Sequence, residues 1–341
     1  MITNHVVLHT TSAHMPAVQD ASVALVVTSP PYPMIEMWDS CFCTQDQEIE
    51  KALREGAAAS AFERMHQLLD QVWREVDRVL IPGGLVCINI GDATRTLNGV
   101  FQLFSNHNRI LSAFCGMGYC VLPDIIWRKP SNSPNKFMGS GMYPAGAYVT
   151  YEHEYILIFR KGGKRIFTAD RDRRQRSAYF WEERNIWFSD LWEIKGQRQK
   201  AADVTSRERS AAFPFEIPYR LVNMYSIQGD TVLDPFAGTG TTLLAAMAAG
   251  RSSIGVEIDP TFARFAVSAL QKEPQLLNCH TEARLQGHRD FMATLTAEQT
   301  EKCYQSEWYP FRVKTKQEIR AYFPTITASR AVPGGVECRC Q

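Results

Sequence analysis

Several features that would place this chain in a specialised class of protein are missing from its sequence. The 341 residues include nine cysteines, an odd number and too few for a disulfide scaffold, so free thiols in a reducing compartment are expected. No apolar run approaches the length of a membrane-spanning helix, and residues 1–16 lack the basic start and apolar core of a signal peptide. We therefore expect a cytoplasmic protein that does not contact a membrane.

An excess of charge of one sign is also lacking. The formal net charge is +1, so any nucleic-acid-binding face must come from local clustering of basic residues. The Cys-x-Cys pairs Cys41/Cys43 and Cys338/Cys340 lack the two-plus-two spacing of a structural zinc site, and no metal is expected. Hydrophobic residues make up 45% and charged residues 21% of the chain, which is ordinary for a globular protein with a large core.

What the sequence does contain is an alternation of strand-like and helical segments. Short β-rich apolar runs predict strands at 21–27, 85–90, 121–127, 155–159, 231–236 and 252–258. Apolar residues at helical spacing predict helices at 58–80, around 110–114, and at 214–226, 241–250 and 259–272, the last with Asp259 as N-cap. The last forty or so residues show no interpretable pattern. The alternation predicts an α/β fold, a mostly parallel sheet with helices on both faces.

Between about residues 131 and 209 the composition changes. From Arg160 to Lys200 there are 12 Lys/Arg and 6 Asp/Glu, interleaved with Phe, Tyr and Trp. Such a segment suits contacts with phosphates and bases. A solvated charged face whose aromatic residues form a small core would have the same composition, and charge runs more often have that role.

The run "VVTSPPYPM" joins a predicted strand directly to two prolines. Proline lacks the backbone donor and fixes φ, so the strand has to end at Pro30 in a stiff turn. Open α/β sheets usually bind their ligands at this carboxyl edge. A turn that only ends the strand is the alternative, since prolines end many strands.

The sharpest local signal is "DPFAGTGTT", Asp234 to Thr242. A strand ends at Asp234, Gly238-Thr239-Gly240 form a tight turn and a helix follows, as in nucleotide-binding sheets. The third glycine of a dinucleotide fingerprint is absent, because Leu243 stands in its place. Asp234 would repel a pyrophosphate but suits a cationic ligand, and Glu257 ends the next strand where it can accept ribose hydroxyls. These features fit S-adenosylmethionine better than a nicotinamide cofactor.

Together, the Ser-Pro-Pro-Tyr and "DPFAGTGTT" motifs resemble those of the DNA amino-methyltransferases, which methylate exocyclic amines of bases. The motif order, with the prolines first, then a basic region and then the glycines, is similar to the β class of that family. The likeness covers most of residues 20–275. It includes Pro82–Asp92, Ile125–Asn135, Glu152–Lys161 and Ser210–Val222. The fold that this resemblance implies is a Rossmann-like S-adenosylmethionine-dependent methyltransferase sheet with an inserted target-recognition region.

The resemblance also implies roles for individual residues. Ser29 and the Pro30 carbonyl would accept hydrogen bonds from the target amine, Pro31 would keep the turn rigid, and Tyr32 would stack on the extruded base. The cofactor would be bound by a larger set, with Glu257 holding the ribose and Phe213 and Pro214 closing over the methionyl end. The remaining members of that set are Asp234, Pro235, Phe236, Ala237, Gly238, Gly240, Thr241 and Thr242. Four arginines of the basic segment would contact DNA: Arg171, Arg173, Arg174 and Arg176.

The residue types suit methyl transfer to an amine. Two acceptors that face the N–H groups favour a pyramidal nitrogen and stabilise its developing positive charge. A methylase of ring carbon 5 would need a nucleophilic cysteine, usually after proline, and the chain has no Pro-Cys dipeptide. The target atom is inaccessible in a duplex, so the base has to be flipped. Family members with Ser in the first motif position mostly methylate cytosine N4, and those with Asp mostly adenine N6, so Ser29 favours cytosine N4.

These inferences predict a division of the chain and a set of partners. Residues 1–130 would form the catalytic half of the methyltransferase domain, 131–209 the target-recognition region, 210–300 the cofactor-binding half, and 301–341 a C-terminal extension. The partners would be double-stranded DNA and, in a restriction–modification system, an endonuclease of the same site, with the enzyme a monomer or homodimer. The alternatives are an enzyme acting on adenine N6 or RNA, a non-catalytic nucleic-acid-binding scaffold, and a nicotinamide dehydrogenase.

Overall fold

The computed structural model describes residues 1–129, 138–195 and 213–341. Its strands are β1 (Ile2–His9), β2 (Val23–Thr28), β3 (Leu80–Ile90), β4 (Ala93–Leu97), β5 (Val100–Phe104), β6 (Cys120–Arg128), β7 (Met138–Gly139), β8 (Ala147–Tyr148), β9 (His153–Arg160), β10 (Leu191–Glu193), β11 (Thr231–Asp234), β12 (Ser252–Glu257), β13 (Tyr304–Gln305), β14 (Arg312–Val313), β15 (Ile326–Val332) and β16 (Gly335–Cys340). Parts of the predicted motifs Ile125–Asn135 and Ser210–Val222, and the basic residues Arg198 and Lys200, lie outside the described residues.

Along the chain, the helices mostly connect strands of one large sheet. They are α1 (Asp39–Cys43), α2 (Gln47–Glu55), α3 (Ala58–Val79), α4 (Asn106–Gly116), α5 (Arg171–Arg176), α6 (Trp181–Trp187), α7 (Glu216–Tyr225), α8 (Thr241–Ala248), α9 (Pro260–Gln271), α10 (Asn278–Ala293) and α11 (Ala297–Glu301). Short 3₁₀ turns occur at Glu36–Trp38, Pro274–Leu277 and Lys316–Glu318.

Ten strands form the main sheet in the order β10-β6-β9-β3-β2-β11-β12-β1-β16-β15. The five central strands β3, β2, β11, β12 and β1 are parallel. β9 is antiparallel to both β3 and β6, so β6 and its parallel neighbour β10 run in the same direction as β3. The carboxyl ends of these seven parallel strands therefore lie along one edge of the sheet.

Helices cover both faces of the sheet, and the alternation of side chains along β2 shows why its sequence is apolar throughout. Val26 packs in the core that includes helix α3, whereas Leu25 and Val27 pack in the core that includes helix α7. Every residue of β2 is buried as a result. A strand buried on both faces carries no polar alternation, which is the pattern that predicted it.

The α/β fold with helices on both faces is confirmed, and each predicted strand and helix falls within or overlaps an observed one. The N-cap prediction is also confirmed, since the Asp259 carboxylate accepts a 2.7 Å hydrogen bond from the Thr261 amide. The sequence did not predict β1, nor the hairpin β15–β16 that continues the sheet beyond it. In the part of the chain that the structure describes, no helix is long and apolar enough to cross a membrane. No group of His, Cys, Asp or Glu side chains in that same part could hold a metal ion.

The predicted division into segments stays a prediction. Within the segment 131–209, β9 and β10 are strands of the main sheet, and Trp181 at the start of α6 donates its amide to Glu318 near the C-terminus. Within 301–341, β16 pairs with β1. Both segments thus share the main sheet with the two predicted halves.

Candidate functional site

Two of the predicted motifs meet at the carboxyl edge of the sheet because β2 and β11 are neighbours. Leu233 pairs with Val26, so the turns that follow both strands leave the sheet side by side. The Thr28 hydroxyl at the end of β2 donates a 2.6 Å hydrogen bond to Asp234 at the end of β11. Residues of both turns line one cavity of about 600 Å³.

Most of the predicted binding residues line this cavity. They are Ser29, Pro30, Pro31, Tyr32, Phe213, Asp234, Pro235, Phe236, Ala237, Gly238, Thr241, Thr242 and Glu257. Gly240 and Pro214 are not among the lining residues. Gly240 is the N-cap of α8, and the Pro214 carbonyl accepts a 3.0 Å hydrogen bond from Ile217 at the start of α7. Both therefore shape the elements that carry lining residues.

The glycine turn has a backbone that other residues rarely adopt. Gly238 and Gly240 have φ values of 51° and 86°, in the left-handed region. A Cβ on Gly240 would lie 3.2 Å from Cβ of Ala266 in α9. The Gly240 amide donates 2.8 Å to the Ala237 carbonyl, and the Ala237 amide donates 3.0 Å to Val256 in β12. The turn is thus tight, strained for any side chain, and fixed to the neighbouring strand.

Glu257 at the end of β12 fixes the same turn from the other side. One carboxylate oxygen accepts 2.8 Å from the Gly238 amide and the other accepts 2.8 Å from the Asp259 amide. Burial raises the pKa of Glu257 above its ordinary value, although these backbone hydrogen bonds oppose the shift. The carboxylate therefore orders the glycine turn, a contact that the sequence did not predict.

Asp234 is buried, with its side chain held beneath the cavity. Its Oδ1 accepts the hydrogen bond from the Thr28 hydroxyl and a second one, of 3.0 Å, from the Phe236 amide. Burial raises the pKa of Asp234 to about 6, against the opposing effect of its hydrogen bonds. Because burial disfavours the charged form, a cationic group in the cavity would stabilise the carboxylate.

The Ser-Pro-Pro-Tyr turn is supported by a partly buried polar network that the sequence did not predict. The Tyr32 hydroxyl lies 3.1 Å from Ser29 Oγ and donates 2.9 Å to the Glu154 carboxylate of β9. Asn89 of β3 donates 2.7 Å to the same Tyr32 oxygen and 2.7 Å to Glu154. Lys129, after β6, forms an ion pair with Glu154. The Ser29 side chain is therefore supported by residues from strands β3 and β9 and by Lys129, which follows β6.

Other parts of the cavity come from segments that no sequence motif assigned to a site. After β1, Thr11, Ser12 and Ala13 line it, and the Ser12 hydroxyl donates 2.6 Å to the Pro235 carbonyl. The segment 37–45 and residues Leu68, Leu69 and Val72 of α3 supply a largely apolar wall. Recognition of β1 as the neighbour of β12 would have predicted the first of these groups, because its carboxyl end lies beside Glu257.

The structure does not bring Arg171, Arg173, Arg174 and Arg176 to the cavity. Their helix α5 packs at the amino-terminal edge of the sheet, since Ser177 accepts a 2.9 Å hydrogen bond from Gln228, just before β11. The length of β11, about 13 Å for four residues, separates that edge from the cavity.

Three of these arginines have partners within the protein. Arg173 pairs with Asp170, Arg174 lies 4.6 Å from the ring centroid of Phe167, and Arg176 lies 5.2 Å from that of Trp308. Such contacts indicate a structural role for the basic segment around α5. The predicted DNA contacts of these residues stay a prediction.

The sequence of this chain is similar to those of known DNA methylases. A family model described as a DNA methylase of the N6/N4 type matches residues 23–268. Type II methyltransferase M.MthZI of Methanothermobacter thermautotrophicus is 52% identical over 330 residues, which cover 95% of this chain and 92% of that protein. Type II methyltransferase M.MjaI of Methanocaldococcus jannaschii is also 52% identical, over 75% of this chain and 88% of that protein.

Solved structures share the fold. A candidate DNA modification methylase from Thermus thermophilus, determined in complex with S-adenosyl-L-methionine, is 34% identical with a TM-score of 0.61, covering 78% of this chain and 92% of that one. The PvuII cytosine-N4-specific DNA methyltransferase is similar in fold, with a TM-score of 0.52 at 19% identity, over 84% of this chain and 94% of that one. The match to a Rossmann-like methyltransferase fold confirms the architecture expected from the sequence.

Proposed function

This chain belongs to the N6/N4 family of DNA methylases, and from that premise we propose that it methylates the exocyclic N4 amine of a cytosine in double-stranded DNA. It is a DNA methyltransferase that uses S-adenosyl-L-methionine, with the β-class order of motifs. The observation that carries the proposal is the shared cavity, in which the Ser-Pro-Pro-Tyr turn faces the glycine turn.

The glycine side of the cavity fits the cofactor chemically. S-adenosyl-L-methionine supplies an electrophilic methyl group on a positively charged sulfur. The buried Asp234 and the half-buried Glu257 put two acidic side chains beside the cavity, which suits a cationic ligand. Gly238 and Gly240 allow the backbone to approach the ligand closely. Asp234, Pro235, Phe236, Ala237, Gly238, Thr241, Thr242 and Glu257 would hold the cofactor, with Phe213 and Pro214 near its methionyl end.

The proline side of the cavity would bind the flipped base. Ser29 Oγ and the Pro30 carbonyl would accept hydrogen bonds from the amine, which makes its lone pair available and stabilises positive charge on nitrogen. Pro30 and Pro31 restrict the backbone, so these acceptors are fixed before the base arrives. Tyr32, with a ring that lines the cavity and a hydroxyl held by Glu154, would stack on the base.

We assign residues 131–209 to recognition of the target sequence. The support is positional, because β6 and β10 both end at the edge of the sheet that carries the cavity. The described residues that follow them, Lys129 and Ile194, therefore lie on the side from which DNA would approach. The type II relatives suggest a restriction–modification setting with an endonuclease of the same specificity.

The choice of cytosine rests on Ser29, and adenine N6 is the second candidate for the same architecture. Duplex DNA should be incubated with the protein and S-adenosyl-L-methionine carrying a trideuterated methyl group, then digested to nucleosides for mass spectrometry. We expect labelled N4-methylcytosine. Labelled N6-methyladenine would refute the assignment of the base. If DNA stays unlabelled while RNA in a parallel reaction becomes labelled, the assignment of DNA as the substrate would be wrong.

A further inference from the structure

The hydrogen bonds behind Ser29 have a defined direction. Four side chains take part: Ser29, Tyr32, Asn89 and Glu154. Tyr32 is 8% exposed and Asn89 is 3% exposed, so solvent contributes little to their hydrogen bonding. The direction of each bond can therefore be worked out from which groups carry hydrogens.

Glu154 fixes the first direction. Its carboxylate carries no hydrogen and accepts from Lys129 on one oxygen and from Tyr32 and Asn89 on the other. The Tyr32 hydroxyl thus uses its single hydrogen on Glu154. Burial and the neighbouring Glu154 charge raise the pKa of Tyr32 well above its ordinary value, so this hydroxyl keeps its proton.

The amide of Asn89 is oriented by the same carboxylate. Its Nδ2 lies 2.7 Å from both Tyr32 and Glu154 and 3.5 Å from Ser29, so its two hydrogens go to the two nearer oxygens. A flipped amide would put its oxygen against the carboxylate, which is repulsive. Tyr32 therefore accepts from Asn89 and donates to Glu154.

The remaining bond follows from these two. Tyr32 has no further hydrogen to give, so in the 3.1 Å contact with Ser29 the serine is the donor. Because the Ser29 hydrogen is directed at Tyr32, the Ser29 oxygen presents only lone pairs to the rest of the cavity. A target amine needs an acceptor at this position.

We propose that Glu154 is a positioning residue, which acts through Tyr32 to hold the Ser29 hydroxyl as a hydrogen-bond acceptor for the target amine. The inference rests on the proposed function and extends it to a residue outside the cavity lining. Without the carboxylate, the Tyr32 hydroxyl is free to donate to Ser29, and the Ser29 hydrogen then turns towards the cavity and opposes the N–H groups. Lys129 contributes by holding Glu154 in place.

The test is a double-mutant cycle in single-turnover methyl transfer. Glu154→Gln and Tyr32→Phe preserve side-chain shape, and each should lower the transfer rate constant by about 10- to 100-fold. This is less than the roughly 100- to 1,000-fold cost of losing a preorganised hydrogen-bonding group at a reacting centre, because the Ser29 oxygen itself is retained. The dissociation constants for S-adenosyl-L-methionine and DNA should change by no more than about twofold, because Glu154 does not line the cavity and Tyr32→Phe keeps the ring that would stack on the base. The double variant should be no slower than Tyr32→Phe, because Glu154 acts only through that hydroxyl.

The matched control is Glu152→Gln just before β9, which removes a 3.7 Å ion pair with Arg128 and should transfer methyl groups at the wild-type rate. Thermal unfolding of all variants reports whether the fold is retained. If the two losses multiply in the double variant, or if Glu154→Gln transfers at the wild-type rate, the positioning role is wrong. If instead the wild-type protein transfers no methyl group to DNA, the proposed function fails and this inference fails with it.

Discussion

Replacement of Asp234 by asparagine should make the protein more stable and weaken its cofactor binding. The carboxylate is buried beneath the cavity, and burial raises its pKa to about 6 from an ordinary value of 3.8. Since the folded state binds this proton more tightly than the unfolded state, stability is lost as the pH rises between about 4 and 6. The asparagine can keep the acceptor oxygen for Thr28 and the Phe236 amide without carrying the charge.

The magnitude follows from the two pKa values. One unit corresponds to 1.36 kcal/mol, so the ionised carboxylate costs about 3 kcal/mol at pH 7 and about 1 kcal/mol at pH 4.5. Urea unfolding of the cofactor-free protein should therefore show that the advantage of Asp234→Asn over wild type grows by about 2 kcal/mol between these pH values. Any effect of the amide on packing is the same at both pH values and cancels.

Asp230, just before the amino-terminal end of the same strand, provides the matched control. It is buried but paired with Arg165 at 2.6 Å, so Asp230→Asn should destabilise the protein at pH 7. The affinity of the Asp234→Asn variant for S-adenosyl-L-methionine should fall, because the cationic ligand loses its buried counter-charge. An advantage that does not change between pH 4.5 and pH 7 would refute the argument from burial.

Two further predictions concern the glycine turn and the basic segment. Gly240→Ala should lower cofactor affinity by about tenfold or more, because its Cβ would meet Ala266. Gly99→Ala, with φ 77° and no atom within 4 Å of its Cβ, should cost about 1 kcal/mol of stability and leave cofactor affinity unchanged. Calorimetric titration measures the affinities and urea unfolding the stabilities, and equal affinity losses in the two variants would contradict the role of the turn. Replacement of Arg171, Arg173 and Arg174 by glutamine should leave the salt dependence of DNA binding unchanged, since α5 lies at the edge opposite the cavity. A shallower slope in binding titrations at several salt concentrations would instead support the sequence-based prediction that these arginines contact phosphates.

The parts of the fold that the sequence predicted are those with a purely apolar signal. β2 and β3 are buried on both faces, so their composition alone identifies them as strands. β1 was missed because Thr3 and His5 are polar yet fully buried. Their burial is possible only because His5 bonds to Ser253 at 2.8 Å and to Thr3 at 3.0 Å, and the first of these partners is 248 residues away.

The C-terminal Cys-x-Cys pair illustrates the same limit. Cys338 and Cys340 are buried and Arg339 between them is exposed, which is the alternation of a strand with one solvated face. Unless the pairing of β16 with β1 is known, an alternation over three residues is too short to identify a strand.

For the site, sequence motifs identified the two turns that leave β2 and β11 but not the side chains that support them. The partners of the Tyr32 hydroxyl lie on β3 and β9, and Glu154 is 122 residues from Tyr32. The position of the basic segment relative to the sheet could not be predicted from the sequence either. A local excess of Lys and Arg does not reveal at which edge of a sheet it lies, and here two of its members, Arg165 and Arg173, are neutralised by Asp230 and Asp170.

The central claim is that the Ser-Pro-Pro-Tyr turn performs methyl transfer in the cavity where the glycine turn binds the cofactor. Single-turnover transfer of a labelled methyl group to duplex DNA, measured for wild type and Ser29→Ala beside calorimetric cofactor binding, tests it most directly. The account predicts that Ser29→Ala binds S-adenosyl-L-methionine as tightly as wild type while its transfer rate falls by about 100-fold or more. Loss of cofactor binding with an unchanged rate at saturating cofactor would contradict it.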